Sequence, residues 1–191
     1  TINPQNLNIP YAPYKLVKTM RASFYMLGPL IAKFGEAKVS LPGGCAWGPR
    51  PVDFHIEGMK KLGINIDLEA GYVIAKSKKM IGNKIVFPKI SVGATGNVLM
   101  AAVLAEGDTE IHNAAAEPEI QQLCLFLNEM GAKISGVGTN VLSIQGVEKL
   151  GGVDSIDVIP DRIEAGTFLI AVAATGGKVT LKNVEPKHME S

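Results

Sequence analysis

The densest set of reactive residue types lies in Ser40–Pro51, SLPGGCAWGPRP. Gly and Pro crowd both sides of Cys45, which excludes regular structure and leaves a long loop between a strand and a helix. Cys45 stands at the tip of this loop, close to Trp47, the only tryptophan. A thiol in an exposed loop near a cation, here Arg50, can have a lowered pKa and act as an acid or a nucleophile. The bland alternative is an idle surface thiol. Loops this long in compact domains are often functional lids. Cys124 contrasts with it. It shares the spacing of Ile120, Leu123 and Leu127, the apolar stripe of an amphipathic helix, and reads as core.

Anion-binding residues flank the loop. Arg50 ends it and opens the next helix, RPVDF; arginine recognises phosphate or carboxylate in bidentate fashion, and the free N–H groups of a helix start add to that. Arg21, in KTMRAS, sits at or near another helix start, with a solvated helix residue as an equal alternative. Lys89–Thr95, KISVGAT, reads as a strand end turning into a buried helix, with Ser91 and Gly93 offering backbone N–H groups to a phosphate. The Walker pattern is missing, so a nucleotide hydrolase is not indicated. His55 is either a ligand contact or a surface histidine, and its position favours the surface. His112 points outward from a strand. No His/Cys/Asp/Glu group has metal-ligand spacing, so neither metal nor cofactor is expected.

The elements that position these residues repeat. Ala101–Asn113, AAVLAEGDTEIHN, matches Ala171–Asn183, AVAATGGKVTLKN, at an offset of 70 residues; each has a small-residue helix end, a Gly, an alternating strand and a closing Asn. Leu30–Leu41 is a third copy. In the complete copies a second helix and a hairpin follow, and Gly63 and Gly131 end the matching helices. Pro118 suits a first helical turn, Glu117 complements the helix dipole, and Gly71, Gly136 and Gly138 mark hairpin turns. The helix expected at Val92–Ala105 is apolar nearly all round and must lie inside the fold. The repeating unit is β–α–β–α–β–β. The chain holds between two and three such units and stops inside the third, which suggests a piece of a longer polypeptide. A strand-like start at TINPQNLN lacks its own unit.

Composition bounds the class. Of 191 residues, 47 % are hydrophobic and 19 % charged, with a net charge of +1. Disorder is therefore not expected, and no basic excess points to nucleic acid or an anionic membrane. Two cysteines make no disulfide framework. The first residues show no basic-then-apolar leader, and the apolar stretches are too short to span a bilayer. A soluble intracellular protein is the expectation.

The ordered motifs KTMRAS, SLPGGCAWGPRPVD, KISVGAT, NAAAEPEI, GAKISGVGT and PDRIEAGTF closely resemble the bacterial UDP-N-acetylglucosamine enolpyruvyl transferases over essentially the whole chain. The resemblance implies an α/β (α+β) fold, an inside-out α/β barrel of repeated β–α–β–α–β–β units. Residues 1–160 would form most of a first domain and 161–191 the beginning of a second. It implies transfer of the enolpyruvyl group of phosphoenolpyruvate to the 3′-hydroxyl of UDP-N-acetylglucosamine, with release of phosphate, as the first committed step of peptidoglycan synthesis in the cytoplasm. Cys45 matches the family's loop cysteine, which protonates phosphoenolpyruvate and is the fosfomycin target. Arg21 and Arg50 match substrate-site arginines. Pro51, Val52, Asp53 and Phe54 match the uridine-binding run, with Phe54 in place of a usual Leu. Lys89, Ile90, Ser91 and Val92 match the diphosphate and sugar contacts. Asp161, Arg162 and Glu164 match the hinge and cleft motif.

Parts of the family's site have no counterpart in these 191 residues: a Lys-Asn pair that grips phosphoenolpyruvate, an acidic residue that deprotonates the sugar hydroxyl, and a further anion-binding arginine. The remaining part of the same polypeptide is thus an expected partner. Two other readings stay open. One is a shikimate-type enolpyruvyl transferase, which the LPGGC loop and RPVD run disfavour. The other is a non-catalytic module that binds nucleotide sugar without turnover.

Overall fold

The computed structural model describes residues 7–43 and 51–190. Two compact units divide the chain, Thr1–Gly152 and Val153–Ser191.

The larger unit is built twice from one plan. The first copy runs β1 (Tyr11–Ala12), α1 (Tyr14–Val17), a 3₁₀ turn (Arg21–Met26), α2 (Leu27–Phe34), β2 (Glu36–Ser40), α3 (Asp53–Lys61), β3 (Asn65–Glu69) and β4 (Tyr72–Lys76). The second runs β5 (Lys84–Val86), α4 (Val92–Ala102), β6 (Asp108–His112), α5 (Pro118–Glu129), β7 (Lys133–Ser135) and β8 (Val141–Gln145). The sheets have matching orders, β1-β2-β4-β3 and β5-β6-β8-β7. In each, the first two strands are parallel and the other pairings antiparallel. This is the β–α–β–α–β–β unit read from the sequence. Gly63 and Gly131, which close the second helix of each copy, both take left-handed φ, 80° and 100°.

Strand alternation fixes which face is dry. On β4, Val73 and Ala75 are buried, and on β8, Leu142 and Ile144, while their neighbours are partly exposed. Helices therefore occupy the inside and sheets the outside. At the centre lies α4, in which Ala94 to Leu99, Ala101 and Ala102 are all buried. It packs against α2, α3, α5 and the 3₁₀ turn. The helices meet closely: a Cβ at Gly28 of α2 would lie 2.3 Å from the Asn97 carbonyl oxygen of α4. The helix ends at Ala102, three residues before the expected boundary. Cys124 is buried on α5 with Ile120 and Leu127, as the stripe required.

The third copy departs from expectation. The smaller unit holds α6 (Arg162–Thr175) and a short 3₁₀ turn (Pro186–Met189). The strand expected at Lys178–Lys182 is not formed. The described residues of this unit contain no other strand, and an extended segment without a partner has no ladder to bond. Local geometry persists all the same: Asn113 and Asn183, matched by the repeat, both lie in the left-handed region, at φ 54° and 57°. The strand-like start proposed for the first residues falls mostly on 1–6, outside the described residues. Among the described residues no helix is long and apolar enough to cross a membrane.

Candidate functional site

Cys45 and Arg50, the centre of the chemistry read from the loop, lie outside the described residues. The other candidate residues of the larger unit are described, and they converge. Asp53 begins α3, so Pro51 and Val52 form its entry rather than its first turn. Arg21 opens the 3₁₀ turn, and its Nη2 donates to the Pro51 carbonyl at 3.4 Å. This ties one candidate arginine to the start of the helix that carries Asp53 and Phe54. Ser91 caps α4, its Oγ accepting from the Ala94 N–H at 3.3 Å. The N–H groups of Val92 and Gly93, first in the helix, have no intrahelical acceptor.

These two helix starts face one cleft of about 470 Å³. Arg21, Pro51, Asp53 and Phe54 bound one side, and Lys89, Ile90, Ser91 and Val92 the other. Val52 lines an adjoining recess of about 270 Å³, shared with Arg21, Tyr25 and Val92. The Phe54 ring stacks on Phe87 at 6.4 Å, and Lys89 Nζ lies 5.8 Å from the Phe54 ring centre. The cleft thus offers a flat aromatic, two cations and a helix start, which suits an anionic ligand bearing a planar ring. Asp161, Arg162 and Glu164 belong to the smaller unit. There Asp161 caps α6, its Oδ1 accepting from Ile163 at 2.8 Å and Glu164 at 3.1 Å. Among the described residues no His/Cys/Asp/Glu group is arranged to hold a metal ion.

His55 corrects the surface reading. Only 8 % of it is exposed, and it lines both the cleft and the recess. The signal was present in the sequence: His55, Met59 and Leu62 recur at i, i+4 and i+7, and Met59 and Leu62 are fully buried. Its ring meets Phe24 edge-on, with centres 5.1 Å apart. Its Nδ1 lies 3.1 Å from Asn97 Nδ2. Asn97 was also missed, although a lone amide in an apolar helix must find partners. It is fully buried, accepts from the Gly28 N–H at 2.7 Å and donates to the Phe24 carbonyl at 3.0 Å. One side chain on α4 thereby fastens α2, the 3₁₀ turn and α3, the elements that carry the cleft.

Burial, then the charge of Arg21, pushes the His55 imidazole from its ordinary 6.5 down to about 4, with Asp53 opposing. The folded chain therefore binds fewer protons than the unfolded chain between these values, and stability falls as pH drops through them. Wild type should lose about 3 kcal/mol from this group between pH 6.5 and 4. Urea titrations of wild type and His55→Phe across that range should show the shallower pH slope in the variant; equal slopes would contradict the burial of a neutral imidazole.

Burial also pushes the Cys124 thiol up, to about 11. Brief iodoacetamide treatment at pH 8 should label Cys45 and leave Cys124 unmodified until the chain is denatured. Mass spectrometry reads the outcome; equal labelling of the two cysteines would contradict the assignment.

A sequence profile of the EPSP synthase (3-phosphoshikimate 1-carboxyvinyltransferase) family matches residues 1–191. The UDP-N-acetylglucosamine 1-carboxyvinyltransferase of Chlorobium limicola is 58 % identical, over 100 % of this chain and 45 % of its own length. The protein of that name from Chloroherpeton thalassium is 63 % identical, over 93 % of this chain and 42 % of its own. The chain thus spans less than half the length of the curated relatives it matches. Among solved structures, the enolpyruvyl transferase NikO from Streptomyces tendae superposes with a TM-score of 0.70 at 23 % identity, covering 83 % of this chain and 38 % of that one. EPSP synthase from Acinetobacter baumannii gives 0.62 at 23 % identity, covering 88 % and 38 %. These likenesses establish the inside-out α/β fold.

Proposed function

The chain belongs to the EPSP synthase family, and from that premise we propose that it forms the nucleotide-sugar wall of a UDP-N-acetylglucosamine enolpyruvyl transferase. The observation that carries this reading is the convergence of Arg21, Pro51, Asp53, Phe54 and Lys89–Val92 on one cleft. The family resemblance implies uridine contacts for Pro51–Phe54, diphosphate and sugar contacts for Lys89–Val92, and a substrate-site arginine at Arg21. The 58 % and 63 % identities to relatives of this name support the substrate.

In this reading the Phe54 ring and the Pro51–Asp53 backbone receive the uracil. The start of α4 and Lys89 receive the diphosphate, and Arg21, with Arg50, adds positive charge between the two substrates. The reaction is an addition followed by an elimination. The 3′-hydroxyl gives its proton to a base as its oxygen bonds to C2 of phosphoenolpyruvate, and C3 takes a proton, for which Cys45 is the donor. Phosphate then leaves C2 with its electron pair and carries off the hydroxyl proton, C3 returns its proton to the Cys45 thiolate, and the enol ether remains. No cofactor enters the balance. Residues 1–160 are assigned to the first domain of such an enzyme and 161–191, with Asp161, Arg162 and Glu164, to the beginning of a second. Both substrates are charged, water-soluble metabolites, which fits a cytoplasmic enzyme of peptidoglycan synthesis and a target of fosfomycin.

The family's name points to a second substrate, shikimate 3-phosphate. Calorimetric titration separates the two. UDP-N-acetylglucosamine should bind and shikimate 3-phosphate should not; the reverse preference would replace this reading with the shikimate one.

A further inference from the structure

One phenol oxygen ties the start of α1 to the first sheet. The N–H groups that open a helix need acceptors from outside it, and Pro13, before α1, has no side-chain acceptor to give. Tyr72, at the start of β4 and 58 residues away in the chain, supplies one: its Oη accepts the Tyr14 N–H at 3.2 Å. The direction is fixed, because a backbone N–H only donates. The Tyr11 hydroxyl of β1 lies 3.2 Å from the same oxygen, with the ring centres 5.9 Å apart. Lys38 of β2 lies against both rings, its Nζ 4.9 Å from the centre of Tyr72 and 5.8 Å from that of Tyr11. The register sets Tyr72 opposite Ser40 of β2 and Glu69 of β3.

From α1 the path to Arg21 is continuous. Leu16 and Val17 donate to the Pro13 carbonyl, Lys18 to Tyr14, Met20 to Val17 and Ser23 to Met20. Arg21 stands inside that chain of turns, and its Nη2 reaches the Pro51 carbonyl at the entry of α3. Val17 and Phe24 bury the inner side of the segment, and Tyr72 holds its outer start. The far end of α1 abuts the chain beyond β2, where a Cβ on Gly43 would stand 2.8 Å from the Lys18 carbonyl oxygen. The helix is thus confined at both ends.

We propose that Tyr72 is a positioning residue for ligand binding: its oxygen fixes the start of α1 and, through the hydrogen-bonded segment 13–23, the place from which Arg21 reaches the cleft. The inference rests on the nucleotide-sugar reading of the cleft. Tyr72 lines neither the cleft nor its recess, so its effect on a ligand passes through Arg21. The shared acceptor leaves a spectroscopic mark. The bond from Tyr11, then that from the Tyr14 N–H, and the charge of Lys38 hold the Tyr72 phenol below its ordinary value, whereas its bond to Tyr72 holds the Tyr11 phenol above.

The test couples Tyr72 to Arg21. Tyr72→Phe keeps the ring beside Lys38 and removes only the oxygen. Read by calorimetry, it should weaken UDP-N-acetylglucosamine binding about threefold to tenfold when Arg21 is present, and leave the affinity of the Arg21→Ala chain unchanged. A wild-type measurement decides the matter even if a variant fails to fold. In an alkaline titration of chain carrying carbon-13 at the tyrosine Cζ atoms, Tyr72 should ionise ahead of Tyr11. The reverse order, a Tyr72→Phe loss of the same size in both Arg21 backgrounds, or no loss at all, would overturn the proposal and leave the nucleotide reading standing. If Arg21→Ala binds as tightly as wild type, the place of Arg21 in the cleft falls and the proposal with it. If wild type does not bind UDP-N-acetylglucosamine, the nucleotide reading itself falls.

Discussion

Asn97→Ala should destabilise the folded chain by about 3–6 kcal/mol, the largest loss expected from any single side chain behind the cleft. The substitution strands three buried groups at once: the Gly28 N–H, the Phe24 carbonyl and His55 Nδ1. Each costs about 1–3 kcal/mol when left without a partner in the core. Water cannot easily repair the loss, because Asn97 is fully buried and α2 crosses α4 in backbone contact at Gly28. Against a total stability of about 5–15 kcal/mol, the variant should unfold at markedly lower urea. Asn97→Asp should not restore the wild type, because a carboxylate cannot donate to the Phe24 carbonyl. A loss below about 1 kcal/mol would mean that the amide is not the anchor of the three elements.

The second large effect is on turnover. The 191-residue chain should bind UDP-N-acetylglucosamine and release no detectable phosphate from phosphoenolpyruvate. In the proposed reading the cleft supplies the nucleotide-sugar wall, whereas the phosphoenolpyruvate-gripping Lys-Asn pair and sugar-deprotonating acid that the resemblance implies have no counterpart in these residues. Reactants must be held in near-attack geometry, so losing one substrate's grips abolishes transfer instead of slowing it modestly. A coupled phosphate assay with both substrates at saturation reads the result. Steady, ligand-dependent phosphate release would show that those groups are dispensable and would overturn the division of labour proposed here.

Much of the fold was legible because it is periodic. The 70-residue offset, the matched glycines Gly63 and Gly131 and the apolar segment at Val92–Ala105 foretold two matching sheets around a buried helix. The strand at Lys178–Lys182 misled, because alternation shows that a segment can pair and says nothing about whether a partner strand is there. The residues that line the cleft and its recess were legible as motifs, since Arg21, Pro51–Phe54 and Lys89–Val92 are local runs. His55 was misread because a histidine beside a motif was weighed as an isolated polar residue and its place on the Met59–Leu62 stripe was overlooked. Asn97 was invisible for a different reason. Its three partners lie on three other segments, 42 to 73 residues away, and only the packed structure brings them together.

The central claim is that nucleotide sugar binds between the starts of α3 and α4. Hydrogen–deuterium exchange of the chain with and without saturating UDP-N-acetylglucosamine tests it most directly. A second cavity of similar size, about 490 Å³, lined by Ile31, Ser77, Lys79, Glu106 and Glu148, serves as the internal control. The account predicts slowed exchange in peptides covering 51–55 and 89–95, and unchanged exchange at 77–80, 104–107 and 146–148. Protection confined to the second cavity, or exchange at 51–55 and 89–95 that ligand leaves untouched, would contradict it.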